Sequence, residues 1–266
     1  MKSAWRAFPY FALALLCCSC SEEADSNGEP QFGHDSSRPP CEYSIDPDRE
    51  SYYQSPVVVA DGWSEAIKLS GPVNTDCPED AIEISPDGTT LYFFWSPEVN
   101  ASSEVLLGIT TGTYYARRVA GDPGDFGQPL FFDLQKGAEG GSVDGAPSFS
   151  PDRSLVYFHS NRADNTGYRQ TPTVDDPMDI YVATITGGEP GPASNLGEPV
   201  NSIHLDGEHG LSPGGLQLYL ASTRSGGLGA VDIWVSTRSG DTWSEPANLG
   251  SPINSAVSDL QPAFPA

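Results

Sequence analysis

The stretch PGPASNLGEPVNSIHLDGEHGLSPGGLQLYLASTRSGGLGAVDIWVSTRSGDTWSEPANLGSPIN, residues 190–254, contains its own beginning again at its end. NLGEPVN at 195–201 returns as NLGSPIN at 248–254, 53 positions later. Between the copies lie three short apolar runs, one ending at Leu211, one at 217–221 and one at 231–237, each stopped by Gly, Ser or Asp. Several strand-length runs inside a period near fifty predict a propeller or a similar repeat array.

Working outward, the easiest marker is a turn: Ser85-Pro86-Asp87-Gly88, Ser150-Pro151-Asp152-Arg153 and Ser212-Pro213-Gly214-Gly215. Proline presets φ at the first turn position, and Asp-Gly supplies the left-handed positions that join antiparallel strands. A strand-like run follows each turn, at 91–95, 155–159 and 216–220. Two copies continue with Ser160-Asn161-Arg162 and Ser222-Thr223-Arg224, then close on Asp179-Ile180-Tyr181-Val182 and Asp232-Ile233-Trp234-Val235. In the first copy Glu104-Val105-Leu106 stands where Asp-Ile-Tyr is expected. A further run, Trp243-Ser244-Glu245-Pro246, matches Trp63-Ser64-Glu65-Ala66 and, more weakly, Phe126-Gly127-Gln128-Pro129. The unit is thus four short strands, the size of one propeller blade.

At these residues the chain resembles the TolB-type, WD-repeat-like bacterial propeller repeats, whose consensus carries SPDG, LYF-S-x-R, DIY and W-S-x-P in this order. The resemblance runs from about Val57 to the C-terminus. It implies an all-β fold, a small β-propeller. It is poor for function, since such repeats occur in periplasmic binding subunits, envelope lipoproteins and accessory domains of enzymes.

The markers at Ser85, Ser150 and Ser212 define three blades. The tail 259–264 starts a fourth, matching 144–149, and residues 55–63 look like the last two strands of a blade lacking its first. Joining the two ends predicts four blades closed by strands from both termini. One strand is then unaccounted for, and 41–53 supplies it or that blade has three. The rival is an open array with an exposed edge.

Gly 28 and Pro 24 in 266 residues suit frequent turns rather than helical bundles. With 13 Lys+Arg against 36 Asp+Glu, the net charge of −23 argues against nucleic acid or anionic lipid as partner. It favours cations, basic protein surfaces or plain solubility.

Lys2 and Arg6 precede an apolar core at 8–16, too short to span a bilayer. The following Leu15-Leu16-Cys17-Cys18-Ser19-Cys20 is similar to a bacterial lipoprotein signal, in which the residue after cleavage is a lipidated Cys. Cys20 is the favoured attachment point and Cys18 the competitor; an ordinary cleaved secretory signal is the other reading. The expected organisation is a signal at 1–19, a disordered acidic tether at 20–40 and a propeller domain at 41–266. Lipid chains would hold the protein on a membrane face, periplasmic or surface-exposed, without spanning it. Of the cysteines beyond the signal, Cys41 and Cys77 form an even pair, which in an oxidising compartment suggests one disulfide.

One carboxylate stands six residues ahead of each turn serine or its equivalent: Glu79, Asp144, Asp206 and Asp259. In a closed ring they would start the innermost strands and meet at one mouth of the tunnel. Four converging carboxylates need a hard cation such as Ca²⁺, or a partner's basic side chain, among them. The plainer expectation is that each accepts N–H bonds in its own loop. His204-Leu205-Asp206-Gly207-Glu208-His209 gathers two His and two acids, and His204, Glu208 and His209 form an alternative metal site with Glu208 as base. Its spacing matches no common ligand pattern. His159 has no evident partner, and the pairs Arg162/Asp179 and Arg224/Asp232 are expected to tie each blade internally. No G-x-S-x-G, P-loop, dinucleotide fingerprint or HExxH occurs.

These residues point to a lipid-anchored envelope protein whose propeller, acting as a monomer, binds protein or glycan. The alternative is a metal-dependent glycan lyase or hydrolase at the tunnel mouth.

Overall fold

Each turn marker folds as the residue types demand. Ser85 Oγ donates to Asp87 at 2.6 Å and accepts the Thr90 N–H at 2.8 Å, while the Gly88 N–H donates to the Ser85 carbonyl at 2.7 Å. The second turn repeats this with Ser150, Asp152 and Leu155. Gly88 and Gly215 take positive φ (68° and 69°), and Arg153 takes the same place at 56°. A non-glycine residue there carries strain, and Arg153 is held by a contact described below.

The computed structural model describes residues 69, 72–75, 77–97, 111–119, 125–138, 142–167 and 178–264. Among them there is no helix, and the strands form three antiparallel sheets. The first runs β1 (Glu79–Ile84), β2 (Thr90–Trp95), β3 (Gly112–Arg117), β4 (Leu130–Phe131). The second runs β5 (Asp144–Phe149), β6 (Leu155–Ser160), β7 (Asp179–Thr186), β8 (Glu189–Asn195). The third runs β9 (Asp206–Leu211), β10 (Gln217–Ser222), β11 (Asp232–Ser239), β12 (Thr242–Trp243), with β13 (Ala247–Asn248) also on β11. These are propeller blades of up-and-down strands. The chain divides into two compact units, Met1–Asp35 and Ser36–Ala266. The first unit lies outside the described residues, as do the signal, the tether and the head strands expected at 55–63.

One expectation is corrected. The third strand of the first blade is Gly112–Arg117, not the segment at Glu104. Trp95 pairs with Gly112 as Ser160 pairs with Asp179 and Ser222 with Asp232. Gly112-Thr113-Tyr114-Tyr115 has replaced the Asp-Ile-Tyr signature, so the motif no longer marks the strand.

Each innermost strand carries one bulge. Ala81, Ala146 and Glu208 take positive φ of 51°, 50° and 43°, and the ladders slip at those points. The bulge re-aims the side chains that follow it on the strand. Gln261, in the tail, takes 54° at the same distance beyond Asp259. The Asp259 N–H donates to the Val231 carbonyl at 2.9 Å, as the Asp206 N–H does to Met178 at 2.8 Å. Residues 259–264 therefore follow the path of a fourth innermost strand without forming a regular ladder.

Apolar residues alternate to both faces of the middle strands, so each gap between sheets is a core. Tyr92 and Phe132 of the first sheet meet Val156, Phe158 and Tyr181 of the second. Tyr157, Ile180 and Val200 of the second meet Leu218, Leu220 and Trp234 of the third. The other face of the first sheet packs Leu91, Phe93 and Tyr114 against Leu69 and Val73.

The NLGxPxN repeat is a backbone clamp. Asn201 accepts the Ile180 N–H and donates to its carbonyl, both at 2.9 Å, and Asn254 does the same to Ile233. Asn195 and Asn248 orient the clamps by accepting their amides.

Candidate functional site

The two arginines sit at the ends of β6 and β10, where the chain leaves the sheet. Arg162 donates to Asp144 at 3.0 Å through Nη2 and also reaches the Leu134 carbonyl. Arg224 pairs with Asp206 through Nη2 and donates to the Val200 carbonyl at 2.6 Å. This corrects the expected pairs with Asp179 and Asp232. The middle strand has an acid on each side, and the guanidinium turns to the innermost strand and across to the preceding blade. Asp179 instead accepts the Thr166 N–H at 2.6 Å and the Asn195 amide at 2.7 Å. Burial lifts its carboxyl to about 6 against these bonds. Asp232 accepts the Gly229 N–H at 2.9 Å and the Asn248 amide at 2.9 Å.

The four aligned acids are each engaged in their own loop. Glu79 accepts the Thr75 N–H at 3.0 Å, Asp206 the Ser202 N–H at 2.6 Å and Asp259 the Ser255 N–H at 2.7 Å. Asp144 accepts the Ser142 hydroxyl and Arg162. Burial pushes the Asp144 carboxyl up while Arg162 and Ser142 pull it down. Among the described residues no three His, Cys, Asp or Glu come together in a group that could hold a metal ion. Asp144 and Asp206 are further met by Arg162 and Arg224 from beyond their own loops.

The residues of the alternative site differ in setting. His204 donates its N–H to Ser202 Oγ at 3.2 Å in the connecting loop, whereas His209 is buried. Burial holds the His209 ring neutral, down to about 3; the neighbouring His159 adds to this and the Tyr157 backbone works against it. No hydrogen bond reaches either ring nitrogen. His159, which has no evident partner in the sequence, has one in the fold. Its Nδ1 accepts the Glu208 N–H at 3.1 Å, and its ring lies 6.4 Å from that of His209. A Cβ on Gly145 would meet His159 at 3.1 Å, so the ring fits only against bare backbone. That small residue opposite a large one, Gly145 paired with His159, was the available signal.

A second unexpected cluster joins the first two blades. Arg153 donates to the Tyr92 hydroxyl at 2.8 Å and lies 4.8 Å from the Phe149 ring centroid. Beside it, burial raises the Glu83 carboxyl to about 7 against the pull of Arg153. The Arg in place of the turn glycine marks this contact in the sequence.

Cys77 is disulfide-bonded. Cys41, its expected partner, and Cys20 lie outside the described residues.

In the loops entering β9, joining β10 to β11 and entering the tail, Ile203, Leu228 and Val257 are each more than half exposed, and the β9–β10 turn at the other end exposes Leu216.

The class these features define is an all-β protein of propeller-type blades. No protein-family model and no curated protein matches the sequence. Solved structures resemble part of it. TolB from Acinetobacter baumannii is 15% identical at a TM-score of 0.36, over 62% of this chain and 31% of that one. A protein described as putative TolB, from Agrobacterium tumefaciens, is 18% identical at 0.33, over 64% and 62%. A polysaccharide lyase of family PL25, an ulvan lyase, is 12% identical at 0.37, over 67% and 46%. This chain spans less than two thirds of the length of each, and the blade assignment stands on the strand pairing above.

Proposed function

We propose that this protein is a lipid-anchored component of a bacterial cell envelope whose blades form a binding module for a protein or glycan. The anchor is Cys20, and residues 20–40 tether the domain to the membrane. The observation that carries the reading is that Ile203, Leu228 and Val257 stand exposed on loops at one end of the strands. Loops fixed on a rigid sheet are where binding residues concentrate, and exposed aliphatic groups rimmed by polar ones mark contact surfaces. Glu198, Asp164 and the strongly acidic composition favour a partner with basic groups around an apolar centre.

The test is retention of envelope components on the immobilised domain, compared with the Ile203→Asp, Leu228→Asp, Val257→Asp triple variant. A component held by the first and lost by the folded second supports the module; equal retention removes it. Incorporation of labelled fatty acid into the wild type but not into Cys20→Ala tests the anchor. Chelator-sensitive turnover of a polysaccharide would replace the binding module with a metal-dependent glycan lyase or hydrolase.

A further inference from the structure

The loop that leaves β6 is pinned by a buried carboxylate with one oxygen left over. Asp179, at the head of β7, is 0% exposed. Its Oδ2 accepts the Thr166 N–H at 2.6 Å and the Asn195 amide at 2.7 Å, while nothing bonds its Oδ1. The third sheet treats the matching position differently. There both oxygens of Asp232 are met, Oδ1 by the Gly229 N–H and Oδ2 by the Leu228 N–H and the Asn248 amide. In the second sheet the loop supplies one backbone donor instead of two and adds oxygens. Asp164 Oδ1 and Asn165 Oδ1 stand 2.8 and 2.6 Å from the Tyr181 hydroxyl, which has one proton for the two. The Asn195 amide, besides Asp179, reaches Tyr181 Oη and the Asp164 carbonyl, each at 3.2 Å. Donors are therefore short around Asp179, and a buried charge with a bare oxygen is costly. The same loop touches the exposed end of the blades: a Cβ on Gly167 would meet the Ile203 Cα at 3.1 Å.

We propose that Asp179 is a proton-operated latch on the loop 163–167: neutral, it keeps the loop closed against Ile203; ionised, its bare oxygen draws in water and the loop opens. Burial is the largest influence on the carboxyl, lifting it from 3.8 to about 6. The Asp206 charge on β9 adds to the rise, and Asn195 and Thr166 oppose it. Of the other charged groups here, Asp164 lies on the loop itself. Arg162 turns to Asp144, with its guanidinium 5.0 Å from the Tyr181 ring centroid. Tyr181 stays protonated, because burial raises its hydroxyl. The closed loop thus holds the proton more tightly than the open one. Closure is favoured fully below 3.8, and the advantage is lost as pH rises through 6. Surface loops are where local opening takes least free energy. The bearing of the latch on recognition rests on the binding-module reading, in which Ile203 is a contact; the opening itself does not.

Amide hydrogen exchange on the full chain, corrected for its intrinsic pH dependence, tests the latch with no partner present. Protection of the Thr166 amide should fall about tenfold between pH 5 and pH 7.5, while that of Gly229, pinned on Asp232, stays level. Asp179→Asn keeps an acceptor for the Thr166 N–H and cannot ionise, so it should hold Thr166 protection level across the range, with β6 and β10 protected as the sign that the blades remain folded. In the wild type the carbon-13 shift of the Asp179 carboxyl should titrate at about 6 rather than 3.8. Constant Thr166 protection in the wild type, an equal fall in Asp179→Asn or at Gly229, or a carboxyl midpoint near 3.8 would each overturn the proposal. Such a failure leaves the retention experiment untouched, and equal retention there leaves the latch standing.

Discussion

The side-chain amide of Gln261 donates to the carboxylate of Asp80 at 3.1 Å, joining residues 181 positions apart. The same Asp80 oxygen accepts the Ala81 N–H at 2.7 Å, so the contact ties the tail to the bulge of β1. Because the bond is exposed, Gln261→Ala should cost only about 0.5–1 kcal/mol. A double-mutant cycle with Asp80→Ala on thermal unfolding checks it. Additive single losses would show that the tail is held by other contacts.

The arginine pairs are a different case, because both partners are buried. Arg224→Ala leaves Asp206 charged and enclosed, a situation that costs about 3–5 kcal/mol. Changing Asp206 to Asn in the same chain should return part of that loss. Denaturant midpoints for the two variants decide, and the same ordering is expected for Arg162 and Asp144. If Arg224→Ala matches Asp232→Asn in cost, the pairing described above is wrong.

Asn201→Ala and Asn254→Ala each strip the partner from one buried backbone N–H, of Ile180 or Ile233, while the carbonyl of that residue keeps the Leu196 or Leu249 N–H. An unsatisfied buried group costs about 1–3 kcal/mol, and either variant should lose about that much. Asn195→Ala keeps the clamp and loses its orientation, and should cost less. Equal melting temperatures for all three would contradict the clamp.

Two buried groups act on pH dependence with opposite sign. His209 titrates near 3 in the folded protein against an ordinary 6.5. The unfolded chain binds the extra proton as pH drops, so this contribution is complete above 6.5 and is lost progressively toward 3. Glu83 is raised from 4.5 to about 7. Its contribution is complete below 4.5 and is lost as pH rises through 7. Melting temperature followed from pH 4.5 to 8 should flatten on the acid side in His209→Pro, since Pro147 and Pro262 occupy that place in the other strands. Glu83→Gln should flatten the alkaline side. Slopes unchanged in both variants would remove these groups as the cause.

What could be read from the chain were the features decided within a few residues. Ser-Pro-Asp-Gly bends wherever it occurs, because its side chains bond their own backbone. The runs after it alternate to two buried faces, so strand, period and blade followed. Where the signature has changed, as at Gly112, the local signal no longer marks the strand. The turn at Arg153 was legible as a turn, but not its reach to Tyr92, 61 positions back.

By itself, then, the sequence determined the repeat, the all-β class, the carboxylate at the head of each innermost strand and the acidic surface. These depend on residue type and short spacing. Only the tertiary structure decided that Arg162 takes Asp144 rather than Asp179, that Arg224 takes Asp206 rather than Asp232, and that His159 meets Glu208. Each of those outcomes depends on which side of a strand faces which neighbour, and that is settled by packing between sheets from separate repeats.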